Sequence, residues 1–138
     1  MEQSLFMVKP DGVAGGLIGE VLSRIEKKGY RIRAMKMIKV DDELAARHYA
    51  EHRDKPFYED LVAFITSGPS VALVIEGESV VKGLRDLIGN TNPEEAAKGT
   101  IRGDFGTDVC RNVVHASDSL ESAKREIALF FTDGEIHS

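Results

Sequence analysis

The chain has 138 residues, 42% of them hydrophobic, with 18 Lys and Arg against 23 Asp and Glu and a formal net charge of -5. That length suits one domain with its own core, and the acidic balance offers nucleic acid or an anionic bilayer no general attraction. One cysteine, Cys110, excludes an intramolecular disulfide and a cysteine-rich zinc site, and no apolar run approaches the ~20 residues that span a bilayer. The start, Met1 to Lys9, lacks the basic flank and long apolar stretch of a signal peptide, so a cytoplasmic location is expected.

Leu5-Phe6-Met7-Val8 is an apolar run stopped by Pro10 and Gly12, which predicts a buried strand and then a turn. Ile18, Val21, Leu22 and Ile25 recur at helical spacing, and Lys27, Lys28 and Gly29 suit the end of that helix. Tyr30, Ile32 and Ala34 alternate with Arg31 and Arg33, predicting a second strand to about Val40 with those three on one face. Asp41 or Asp42 can cap a helix through His52, and Phe57, Leu61, Phe64 and Ile65 mark a second helical stripe, together a helical hairpin.

Residues 71–75 are apolar and mostly β-branched between Gly68-Pro69 and Gly77, the pattern of a central strand. Ser79 is the expected cap of a helix that buries Val80 or Val81, Leu84, Leu87 and Ile88. From Gly89 to Arg111 periodicity lapses, and a connection of that length in a compact domain is usually functional. Val113-Val114 fit a short fourth strand. Leu120, Ala123, Ile127, Phe130 and Phe131 define a last helix, with Asp118 and Glu121 at capping-box spacing. The order predicts an α+β domain, one small sheet with helices packed on a face, and leaves the strand order open.

Three groups of residues carry possible chemistry. The glycines of residues 12–19 follow a strand and precede a helix but lack the P-loop ending, so they read as turn and packing glycines, with Lys9 at the strand mouth able to meet an anion. His48-Tyr49-Ala50-Glu51-His52 matches H-x-x-E-H, a zinc pattern on a helix, against the simpler reading of a solvated helix face. Arg85, Thr91, Arg102, Asn112 and His115 bring guanidinium groups and neutral donors around an imidazole. Guanidinium binds phosphate bidentately, and a neutral imidazole nitrogen can attack phosphorus near neutral pH, so this is equipment for phosphoryl transfer. A buried core histidine at a strand end is the alternative reading of His115.

From Leu5 to about Phe131 the chain resembles the nucleoside diphosphate kinases. The resemblance lies in Val8-Lys9-Pro10-Asp11-Gly12, His48-Tyr49 with Lys55-Pro56-Phe57, Thr66-Ser67-Gly68-Pro69, Gly99-Thr100-Ile101-Arg102-Gly103-Asp104-Phe105 and Asn112-Val113-Val114-His115-Ala116-Ser117-Asp118. It implies a single domain over residues 1–138 and a ferredoxin-like βαββαβ fold: a four-stranded antiparallel sheet with helices packed on it, a helical hairpin and a long nucleotide-site loop. It implies ping-pong transfer of a γ-phosphoryl group from a nucleoside triphosphate, typically ATP, to a nucleoside or deoxynucleoside diphosphate, maintaining nucleotide pools. His115 would be the nucleophile, Glu126 its orienting carboxylate and Ser117 their hydrogen-bonding neighbour, with Lys9 and Tyr49 in support. Lys9, Arg85, Thr91, Arg102 and Asn112 would hold phosphate and sugar, and Phe57 and Leu61 the base.

Mg2+ would ride mainly on the nucleotide phosphates, with Asp118 a candidate helper and no dedicated protein cage. The resemblance also implies a homo-oligomer, hexamer or tetramer, and no membrane or nucleic-acid partner. Under it the H-x-x-E-H match is incidental: Tyr49 faces the nucleotide, and His48 and His52 lie elsewhere on the same helix. Ala116 stands where glycine is common in the family, and Cys110 occupies another position often held by glycine.

Overall fold

The computed structural model describes residues 1–138. Strands β1 (Glu2–Val8) and β3 (Ser70–Gly77) pair antiparallel along their whole length, from Glu2 opposite Gly77 to Val8 opposite Val71. β2 (Arg31–Ile38) lies outside β3 and β4 (Val114–Ala116) outside β1, giving the order β2-β3-β1-β4 with every pair antiparallel. The helices are α1 (Pro10–Ala14), α2 (Ile18–Lys27), α3 (Asp42–His48), α4 (Tyr58–Ile65), α5 (Val80–Ile88), α6 (Ile101–Phe105) and α7 (Leu120–Phe130). With α2 and α5 as the two crossovers, this is the ferredoxin-like plan that the resemblance implies.

The helices do not share one face. Phe6, Val8, Val71, Leu73 and Ile75 pack with Val21 and Ile25 of α2 and Val80, Leu84 and Ile88 of α5. On the other side Leu5, Met7, Ala72 and Val74 pack with Ala45 of α3, Ile65 of α4 and Phe130 of α7. β1 and β3 are therefore buried on both faces, which is why their sequences are nearly unbroken apolar runs rather than alternating ones.

β2 departs from its expected alternation. A register irregularity between Ile32 and Ala34 sets Ile32 opposite Ile75 and Ala34 opposite Val74. One added residue in a strand reverses the facing of everything beyond it. Ile32 thus packs with the α2 and α5 core and Ala34 with the opposite one.

The helix ends also refine the reading. Pro10 opens α1 inside the expected turn, where its missing N–H costs nothing. Gly29, at φ +86°, ends the turn after α2 in a conformation that glycine alone adopts freely. Asp41 caps α3, its Oδ1 accepting from Leu44 N at 2.8 Å. α3 stops at His48 and a separate 3-10 turn, Ala50–His52, follows, so no single helix runs through His52. Ser79 does not cap α5: its backbone is left-handed and its side chain makes no cap bond, while Glu2 Oε1 accepts from Val81 N at 3.3 Å. The cap of α7 is Ser119, which accepts from Ser122 N at 3.0 Å, rather than Asp118. The long loop contains a 3-10 turn at Pro93–Glu95 and α6, capped by Thr100 Oγ1 accepting from Gly103 N at 3.0 Å. No helix is long and apolar enough to cross a membrane.

Candidate active site

β4 is only three residues long, but its place beside β1 sets His115 opposite Met7 and Ser117 just beyond the sheet. Ser117 N donates to Leu5 O at 3.1 Å, and Ser117 Oγ accepts from Leu5 N at 3.3 Å. α7 returns over the same strands and delivers Glu126, whose Oε1 accepts from Ser117 Oγ at 2.7 Å and lies 2.9 Å from His115 Nε2. Burial opposes ionisation of Glu126, but the hydrogen bond and charge of His115, with the Ser117 hydroxyl, outweigh it and hold the carboxyl at about 2. An ionised carboxylate only accepts, so His115 Nε2 carries the hydrogen of this bond, and Nδ1 is the ring nitrogen not engaged by Glu126.

Lys9 ends β1 beside this group. Its side chain is threaded inward: Nζ donates to Cys110 O at 2.8 Å and to Asn112 Oδ1 at 2.9 Å. Asn112 Nδ2 in turn donates to the carbonyls of Thr91 and Val109, each at 3.0 Å. One buried amide therefore ties the lysine to both ends of the long loop. Burial, reinforced by the Arg102 guanidinium, lowers Lys9 to about 8.

Arg102 comes from α6 and is 4% exposed. Its Nη2 donates to Val114 O at 2.8 Å and Nη1 to Gly89 O at 3.3 Å, while Nε is buried without a partner. No carboxylate neutralises it. Burial first, and then the charge of Arg85, bring it down to about 10. Arg85 reaches from α5 to donate to Ala116 O at 3.1 Å. Three cations thus point into one region with no carboxylate in direct ion pair with any of them, Asp11 offsetting Lys9 and Arg102 only in part, an arrangement favourable to an anion.

A cavity of about 540 Å³ joins these groups. Its walls include every candidate drawn from the sequence except Ser117: Lys9, Tyr49, Phe57, Leu61, Arg85, Thr91, Arg102, Asn112, His115 and Glu126. Ser117 lies directly behind, fully buried. Phe57 is 42% exposed at the mouth, and Val109, 52% exposed, lines the same space. Tyr49 is buried, and burial raises its phenol above the usual tyrosine range.

Sequence reading missed several lining residues. Val109 is an apolar side chain stranded in a polar loop, and that isolation was the available signal. His48 was expected elsewhere on its helix, yet it is buried against His115, ring centres 4.8 Å apart and nearly perpendicular. Burial, then the charge of His115, lowers His48 to about 3, so this neighbour stays neutral. His52, beyond the helix end, rests near Phe57 at 5.8 Å. The two histidines of H-x-x-E-H therefore do not converge on a metal. The only acidic or imidazole trio close enough to be considered is His48, His115 and Glu126, and there the carboxylate already bonds the imidazole.

The chain matches the family model described as nucleoside diphosphate kinase over residues 2–136. It is 63% identical over 136 residues to a nucleoside diphosphate kinase of Archaeoglobus fulgidus, covering 99% of this chain and 90% of the relative. The enzyme of that name from Moorella thermoacetica is 59% identical, with 99% and 98% covered. Among solved structures, the halophilic nucleoside diphosphate kinase of Halobacterium salinarum in complex with CDP superposes with a TM-score of 0.97 at 50% identity, covering 99% of this chain and 91% of that one. The Aquifex aeolicus nucleoside diphosphate kinase gives 0.96 at 46% identity, with 98% of each covered. Fold, cleft and these similarities agree, and the chain belongs to the nucleoside diphosphate kinase family.

Proposed function

We propose that this nucleoside diphosphate kinase carries the γ-phosphoryl group of a nucleoside triphosphate, chiefly ATP, on His115 and passes it to a nucleoside or deoxynucleoside diphosphate. The observation that carries the reading is the His115–Glu126–Ser117 chain, which leaves one ring nitrogen free within a cleft lined by three cations. In the first half-reaction His115 Nδ1 attacks the γ-phosphorus. The N–P bond forms as the bond to the β,γ-bridging oxygen breaks, and the electron pair leaves with the diphosphate. Glu126 stabilises the positive imidazole that results. In the second half a terminal oxygen of a new diphosphate attacks the same phosphorus and the electron pair returns to Nδ1.

Such a transfer passes through a loose transition state that needs positioning and spread positive charge more than a strong base. Lys9, Arg85 and Arg102 supply the charge, and Thr91 and Asn112 supply neutral polar groups. The donor set also suits Mg2+ carried on the phosphates: few exposed carboxylates, Glu51 and Asp118, lie on the cavity wall, Asp118 released from capping by Ser119, while Glu126 is engaged with His115. When bound, Mg2+ would be held mainly by the phosphates, with Asp118 the protein carboxylate placed to assist, and would offset phosphate charge. Initial rates with ATP and a second diphosphate varied together test the scheme: double-reciprocal lines should be parallel, and intersecting lines would contradict a covalent carrier.

Two expected results follow from the cleft. Because Lys9 is held at about 8 when the site is empty and binds phosphate only as the cation, diphosphate affinity should fall about tenfold per pH unit above 8, some 1.4 kcal/mol each. Calorimetric titration of ADP at rising pH checks this, and a flat profile to pH 9.5 would contradict it. Phe57→Ala should weaken purine and pyrimidine diphosphates alike, by about 1–3 kcal/mol, since stacking uses the face that every base has. A loss confined to one base would instead indicate recognition of its edge.

We further infer a cytoplasmic homo-oligomer, hexamer or tetramer. β2 is a sheet edge on which Met35 and Met37 are 55% and 59% exposed, which supports self-association there. A monomer in sedimentation equilibrium, or membrane-bound protein on cell fractionation, would contradict the respective inference.

A further inference from the structure

Between Asn112 and β4 the backbone takes a conformation its sequence disfavours. Val113 has φ +75°, and the only other non-glycine residue at positive φ is Ser79. For a β-branched residue that region costs on the order of 1–3 kcal/mol and persists only where the surroundings enforce it. Here they do so from several sides. Val113 N donates to Asp11 Oδ2 at 3.0 Å, and Val113 O accepts from Lys9 N at 2.8 Å. The Val113 side chain is 1% exposed within the core. Gly12 closes over it: a Cβ there would stand 2.9 Å from Val113 O and 3.1 Å from Val113 Cγ1.

The carboxylate of Asp11 is an unusual partner for this task. Its Oδ1 is buried with no hydrogen bond, and Oδ2 alone is engaged by the backbone. What Oδ2 holds is the joint between Asn112, which accepts from Lys9 Nζ, and Val114, whose carbonyl accepts from Arg102. His115 follows at once. A return of Val113 to negative φ would turn these neighbours relative to one another, and displacements of about 1 Å at a reacting centre can cost 10²-fold in rate.

We propose that Asp11 is a positioning residue for phosphoryl transfer, its carboxylate locking Val113 in the positive-φ turn, closed by Val114 N donating to Asn112 O at 2.8 Å, that fixes His115 relative to Lys9 and Arg102. This rests on the activity proposed above. The Asp11 charge also offsets part of that of Lys9 and Arg102, and the variants below separate that effect from the lock.

Four variants separate the lock from the charge: Asp11→Ala, Asp11→Asn, Val113→Gly, and Asp11→Ala combined with Val113→Gly. They are to be assayed where circular dichroism shows each folded. Asp11→Ala should lower kcat about 10–100-fold with KM changed less than about threefold, whereas Asp11→Asn, which keeps an accepting oxygen, should stay within about threefold of wild type. Glycine has no penalty at positive φ, so the double variant should regain at least about tenfold over Asp11→Ala. An Asp11→Asn variant as slow as Asp11→Ala, or no recovery in the double variant, would overturn the proposal.

If Asp11→Ala or Val113→Gly fails to fold, Asp11→Glu keeps the charge but displaces the acceptor, and near-normal kcat there would also overturn it. Amide hydrogen exchange at Val113 reads the lock without activity: protection should drop at least about tenfold in Asp11→Ala, or in Asp11→Glu in its place, with core amides unchanged, and unchanged protection at Val113 would overturn it. A wild-type protein that shows this protection but no nucleotide exchange would instead refute the assigned function.

Discussion

His115→Ala is expected to abolish phosphoryl exchange, with a loss of at least about 10⁴-fold in kcat, while nucleotide binding stays within a few-fold of wild type. The size follows from chemistry rather than affinity. No other group in the cleft combines a nucleophilic imidazole nitrogen with an orienting carboxylate. His48 is neutral but buried, and Tyr49 and Lys9 are tied to protonated forms at neutral pH. The cavity and its cations survive the change, so substrates should still bind. Stability should hardly fall, because the Glu126 to Ser117 bond remains at 2.7 Å and Arg125 stands 3.6 Å from the other carboxylate oxygen. Steady-state exchange and calorimetric nucleotide binding on the same preparation test this, and a residual rate within 10²-fold of wild type would contradict it.

Arg102→Ala should have the next largest effect, about 10²–10³-fold in kcat, because a buried guanidinium stabilises charge most as the phosphoryl group moves. The residue is gripped by the carbonyls of Gly89 and Val114, so its charge is pre-aimed and needs no reorganisation during transfer. Its removal has opposing effects on folding. Two carbonyls lose a donor, yet a desolvated cation with no direct ion-pair partner disappears. The melting temperature should therefore change by only a few degrees. A variant that loses affinity while keeping kcat would show that Arg102 binds ground state and transition state equally. Arg102→Lys should restore only part of the rate, since a point charge cannot reproduce the planar fork.

The order of elements was legible because β1 and β3 are apolar on both faces and α2, α5 and α7 have clear stripes. Strand order was supplied by family resemblance, since β1 pairs with β3 from Glu2 opposite Gly77 to Val8 opposite Val71 and with β4 at Phe6 opposite Ala116, both far apart in sequence. Local features decided by tertiary contact were not legible. The irregularity at Arg33 trades an alternating pattern for cores on both faces, and Glu2 serves α5 from another strand because Ser79 is left-handed. The end of α3 at His48 leaves no mark in a helix-friendly sequence, nor does the burial of His48 against His115.

The site divides in the same way. Its titratable residues were legible by type, because phosphate chemistry requires cations and an imidazole, and the cleft gathers them as expected. The inward bond pattern of Asn112 was not, since a buried amide that engages Lys9, Thr91 and Val109 looks in sequence like any loop asparagine. Nor was Val113, whose β-branched character argues for the extended conformation it does not adopt.

The most direct test of the phosphohistidine is to mix the protein with γ-labelled ATP and no acceptor, quench in base, and locate the label by mass spectrometry of the peptides. One acid-labile phosphoryl group per chain on His115, discharged on addition of a nucleoside diphosphate as fast as the enzyme turns over, is the predicted result. Nucleotide exchange at full rate with no label on His115 would contradict it.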